Sequence, residues 1–95
     1  METTSPIQQP YLEVTFRHGR PLAAYLCLPR GAGQKVSTSR PVGQGLVVDL
    51  DQAGVPVGIE ITTPSTVTLA ALNGVLRGHG MAEITEADLE PLRAA

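Results

Sequence analysis

Ninety-five residues make one domain with one modest core, since domains begin at roughly 50 residues and a chain of this mass buries roughly 64 % of its unfolded surface. Seven Lys and Arg stand against nine Asp and Glu, with no cluster of either sign, and only Tyr11, Phe16 and Tyr25 are aromatic; the gathered cations and stacking platforms of a nucleic-acid binder are both missing. The single Cys27 makes no disulfide within the chain, which fits a cytoplasmic protein, and no apolar run approaches the ~20 residues of a membrane span.

Met1 to Pro10 is polar apart from Ile7 and holds two prolines, so residues 1–10 are predicted to be a flexible tail. They lack the cationic start and apolar run of a signal peptide. A single domain over 11–95 follows, with a β-sheet over 11–62. Tyr11–Arg17 alternates, Leu12, Val14 and Phe16 facing one way and Glu13, Thr15 and Arg17 the other, the period of a half-buried strand. His18-Gly19-Arg20-Pro21 supplies a turn, and Leu22–Leu28 returns with Leu22, Ala24, Leu26 and Leu28 inward. Ala23, Tyr25 and Cys27 face outward.

Pro29–Gly33 reads as a loop. Lys35–Arg40 is β-compatible but polar on both sides, as suits a protected edge strand, and Pro41, Gly43 and Gly45 are expected to end it. In Leu46–Ile61 two alternating aliphatic runs flank Asp51-Gln52-Ala53-Gly54. Such a loop favours Asp early and a left-handed Gly last. Pairing Leu50 with Val55 opposes Val48 to Val57 and Leu46 to Ile59, placing the large aliphatics together, whereas a one-residue slip would oppose them to Pro56, Gly58 and Glu60.

After Thr62 the period changes. Pro64 disfavours helix at Thr63, Ser65 or Thr66 can cap, and Leu69, Leu72 and Leu76 recur at helical spacing, predicting a helix over 66–79 that ends at Gly80 with Met81 folded back. Thr85-Glu86-Ala87-Asp88 resembles a capping box and opens a short helix over 86–93. The fold class is therefore α+β: a mainly antiparallel sheet of about five strands with two hairpins, one face covered by the C-terminal helix, plus a final helical turn.

From Gly45 to Ile61 the pattern is Gly, aliphatics, Asp, aliphatic, Asp, two residues, Gly, then V-x-V-G-I-E-I. This resembles the small bacterial family called domain of unknown function 2283, most specifically over this segment and more weakly over Tyr11–Leu28. Members commonly carry an acidic residue before a strand of the form L-Y-I-x-L; here Leu22–Leu28 reads LAAYLCL and lacks it. The family has no established activity. Some members sit beside toxin-like genes, so the resemblance implies an antitoxin-like role.

The residues themselves point first to a non-catalytic interaction module acting as a homo-oligomer, a dimer with a small protein partner, because one sheet and one helix leave a second sheet face uncovered. Tyr25, Cys27, Val47, Asp49 and Glu60 form that candidate interaction face. The alternative is a small enzyme or metal-dependent site built on Asp49 and Glu60, although the pairing above opposes Asp49 to Pro56 and Glu60 to Gly45, several residues apart. Asp51 reads as a turn residue. His18, His79 and Cys27 lack zinc-site spacing, and Gly31-Ala32-Gly33-Gln34-Lys35 lacks the phosphate-loop pattern. No catalytic residue, cofactor or metal is assigned.

Overall fold

A computed structural model describes residues 9–93, so most of the tail expected over 1–10 lies outside the described residues. Five strands, β1 (Tyr11–Arg17), β2 (Arg20–Cys27), β3 (Thr38–Gly43), β4 (Leu46–Leu50) and β5 (Pro56–Ile61), precede helix α1 (Leu69–Gly78), a 3-10 turn (Glu86–Leu89) and a last helical turn, α2 (Glu90–Arg93). The strands form one antiparallel sheet in the order β1-β2-β5-β4-β3. This is the expected α+β arrangement. Among the described residues no helix is long and apolar enough to cross a membrane.

The turns explain the topology. His18-Gly19 and Gln44-Gly45 each place two successive residues at positive φ, the backbone of the two-residue turns whose twist matches paired strands. A third hairpin, β3–β4, thus joins the two expected ones, and Gly43 and Gly45 serve it instead of only ending a strand. The edge strand begins at Thr38, not Lys35, and runs through Pro41, which an edge tolerates because its outer side needs no donor. In the β4–β5 loop, Asp51 Oδ1 accepts from the backbone N–H of Ala53 at 2.9 Å and of Val55 at 2.8 Å, and Gly54 has φ +84°.

The β4–β5 register differs from the expected one by one residue at Leu50, which opposes Pro56, and by two from Asp49 back, so that Val48 opposes Ile59 and Leu46 opposes Ile61. The loop, Asp51–Val55, supplies the first residue of the shift, and a bulge at Val57 supplies the second. Because the total shift is even, the aliphatics keep their face. Leu26, Leu46, Val48, Ile59 and Ile61 pack there with Leu72, Leu76, Ile84, Leu89 and Leu92. Leu12 and Val14 are only half-buried against this core, and Phe16 (49 % exposed) and Leu22 (53 %) lie outside it. The sequence pattern placed both inside. Leu22 is the extra residue of a β1–β2 irregularity, and β5 pairs with β2 only over Ala24–Cys27, so the hairpin tip projects past the sheet that the helices cover.

Helix α1 starts three residues later than expected. Its cap is Thr68, whose hydroxyl accepts from Ala71 N–H at 3.1 Å, while the Thr66 hydroxyl donates to the Thr63 carbonyl. At the other end the N–H groups of Gly80 and Met81 bond the carbonyls of Arg77 (3.0 Å) and Leu76 (2.8 Å), and Met81 packs on the core. This is the expected Gly-terminated cap. Asp88 Oδ2 accepts from Thr85 N–H at 2.8 Å, giving the carboxylate half of a capping box.

Candidate functional site

Core residues occupy one face of the sheet, and none of Tyr25, Cys27, Val47, Asp49 and Glu60 belongs to that cluster. Registers set these five in two adjacent rows across three strands. Cys27, Gly58, Asp49 and Ser39 form one row, and Tyr25, Glu60 and Val47 the other. Directly opposed residues in an antiparallel sheet share a face, so all five meet on the face away from the helices.

Gly58 shapes the centre. A side chain there would overlap the ring and hydroxyl of Tyr25, because Tyr25 leans across β5 to donate to Asp49 Oδ2 on β4 at 2.8 Å. Glycine inside a strand marks such close approaches. Ser39 Oγ on β3 donates to the other Asp49 oxygen at 2.7 Å. Three strands, β2, β4 and β3, are thereby tied together across β5, and Asp49, only 6 % exposed, is buried with both oxygens satisfied. Burial, then its bond to Asp49, push the Tyr25 phenol well above its ordinary range, so Tyr25 is a fixed donor and not a base.

The two-residue register change brings Asp49 and Glu60 together. Asp49 opposes Gly58 and Glu60 opposes Val47, making the carboxylates diagonal neighbours, whereas the sequence pairing kept them apart. Partial burial, followed by the charge and hydrogen-bonding of Asp49, raises the Glu60 carboxyl. A raised acid binds its proton more tightly folded than unfolded, so its contribution to stability is full below the unfolded pKa, ~4.3, and is lost as pH rises through the folded value. Glu60→Gln is accordingly expected to raise the thermal midpoint at neutral pH, by an amount that shrinks toward zero near pH ~4. Melting curves of both proteins across that range check this; a pH-independent gain would contradict it.

Cys27 is 3 % exposed, and burial raises its thiol, with Tyr11 beside it. A protonated, buried thiol is a packing group and not a nucleophile. Cys27 and Asp49 therefore underlie the face, while Tyr25, Val47 and Glu60 are half-exposed upon it and Glu13 and Thr15 border it on β1, opposite Tyr25 and Ala23. A depression of about 490 Å³ lies elsewhere, lined by Gly33–Ser37 and Asp51–Ala53. Its one carboxylate, Asp51, is committed to the turn and to Gln34 Nε2 at 2.7 Å. Val55 N–H above all, helped by that amide, lowers the Asp51 carboxyl. His18 and His79 are exposed, and among the described residues no three His, Cys, Asp or Glu side chains are grouped to hold a metal.

Ser39 lay inside the expected strand Lys35–Arg40 but was given no partner, because the β3–β4 hairpin that sets it opposite Asp49 was not anticipated, and Gly58 was missed because the pattern counted it only as a spacer. Its signal was present: a glycine between Val57 and Ile59 inside a strand invites the question of what comes close. Compared with known protein families, curated proteins and solved structures, the chain matches none.

Proposed function

We propose that this protein is a non-catalytic, cytoplasmic interaction module that works as a homo-oligomer and receives a small protein on the open face of its sheet. The observation that supports this reading is the way the face is fixed: Tyr25, bound to Asp49 over Gly58, is held flat in advance, and rigid aromatic anchors lose little entropy on docking. Glu13 and Glu60 beside Tyr25 and Val47 give an acidic and partly apolar surface, whose natural complement is a segment with cations and apolar side chains. An antitoxin-like role, as implied by the resemblance to domain of unknown function 2283, has this form: a small acidic protein covering a basic one.

Affinity capture from the cells that make the protein, run in parallel with wild type and the face variant Val47→Arg/Glu60→Lys, tests the reading. A basic protein retained by wild type and lost from the variant is expected. A partner held equally by both would place docking elsewhere, and capture of none would contradict the partner altogether. A second reading, a metal-dependent or acid-base site, draws on the raised Glu60 carboxyl beside Asp49. Against it, both Asp49 oxygens are already taken by hydroxyl donors, leaving the pair poor in free ligand capacity.

A further inference from the structure

Both β1 and β3 are edge strands, and they differ in protection. β3 carries Pro41, an irregularity at Val42 and a positive-φ Gly43, devices that discourage pairing with another chain. β1 has none of these. It is seven residues long and free of proline, and where the β1–β2 register shifts, the extra residue, Leu22, belongs to β2. The pair flanking a two-residue turn, here Arg17 and Arg20, exchanges backbone hydrogen bonds. By alternation, Leu12, Val14 and Phe16 turn their N–H and C=O groups outward, to the free edge. Phe16 is half-exposed at the same edge.

The geometry points to a second copy of this chain as the occupant: β1 pairs antiparallel with β1 of its twin about a two-fold axis at Thr15. That register sets Thr15 against Thr15, Val14 against Phe16, and Glu13 against Arg17 of the second copy. A hydroxyl pair, a β-branched side chain on an aromatic ring and an opposite-charge pair are the three kinds of cross-strand neighbour that stabilise sheets. The symmetry repeats the last two. Moving the axis one residue to Val14 would place Glu13 opposite Thr15 and Arg17 opposite Tyr11, losing both ion pairs, so charge selects the register. An axis normal to the sheet keeps the helices of both copies on one side and joins the two open faces into one ten-stranded surface. This inference rests on the homo-oligomeric reading and names its seam.

Sedimentation of the full chain, wild type against Glu13→Arg, Arg17→Glu and the double swap, tests it. Both positions are exposed, and circular dichroism confirms folding of each variant. Each single swap replaces two attractive pairs with two repulsive ones and is expected to weaken dimerisation about tenfold or more, while the double swap restores it to within a few-fold of wild type. A dimer indifferent to the swaps, or weakened by them without rescue, overturns this seam while leaving the homo-oligomeric reading standing. A monomeric wild type overturns both.

Discussion

Gly58→Ala is expected to lower the stability of the fold by about 2–3 kcal/mol, more than an alanine in a strand would ordinarily cost. The new methyl would occupy the space of the Tyr25 ring, so Tyr25 must swing off the sheet and release Asp49. A hydrogen bond to a charged acceptor contributes about 1.5–3 kcal/mol, and the loss falls on a carboxylate that is buried and retains only Ser39 as a side-chain donor. Tyr25→Phe removes the same bond without displacing the ring and should cost about 1.5–2 kcal/mol. Because both substitutions break one interaction, their combined cost should fall short of the sum. Spectrophotometric titration gives an independent reading: in wild type Tyr25, its phenol pushed up by burial and the bond to Asp49, is expected to resist ionisation well beyond the ordinary range, and in Gly58→Ala it should titrate closer to a free phenol. An alanine variant as stable as wild type, with an unchanged titration, would contradict the placement of Tyr25.

Asn73→Ala is expected to cost about 2–4 kcal/mol, although Asn73 touches nothing on the open face. Its Oδ1 accepts from Ile84 N–H at 2.8 Å and its Nδ2 donates to Ile84 O at 3.0 Å, so a single buried amide satisfies both backbone groups of a loop residue as a neighbouring strand would. Removing it leaves a buried donor and a buried acceptor, each about 1–3 kcal/mol if nothing replaces the partner. Asn73→Asp should also destabilise, since a carboxylate can accept from the N–H but only repels the carbonyl. Urea unfolding measures both; changes within about 0.5 kcal/mol of wild type, the ordinary scatter of surface substitutions, would contradict the bridge.

Periodicity carried much of the fold because it reports faces, and faces survive errors of register. The aliphatics of β4 and β5 lie on the core side as their alternation implies, even though the longer loop and the bulge at Val57 together move the pairs from Leu46 to Asp49 by two residues. Pro56 and Gly58, which flank Val57, are the local signal of the bulge, but they do not say which residue is left unpaired. The same shift decides the candidate site: with the unbulged pairing Asp49 and Glu60 lie apart, and with the bulge they are diagonal neighbours. Phe16 and Leu22 misled for a different reason, since alternation shows which way a residue points but not how far the covering helices reach. Asn73 was legible in principle. It follows Leu69 by four and precedes Leu76 by three, so it sits on the apolar stripe, where a polar side chain implies a partner. Its partner, Ile84, comes from a loop whose path no periodicity describes.

The open face and the exposed β1 edge belong, on this proposal, to a protein that works as more than one copy. Light scattering on the full chain over a concentration series, from micromolar to millimolar, measures this most directly. The predicted result is a mass of two chains that falls toward one only on dilution. A mass of one chain throughout would contradict it.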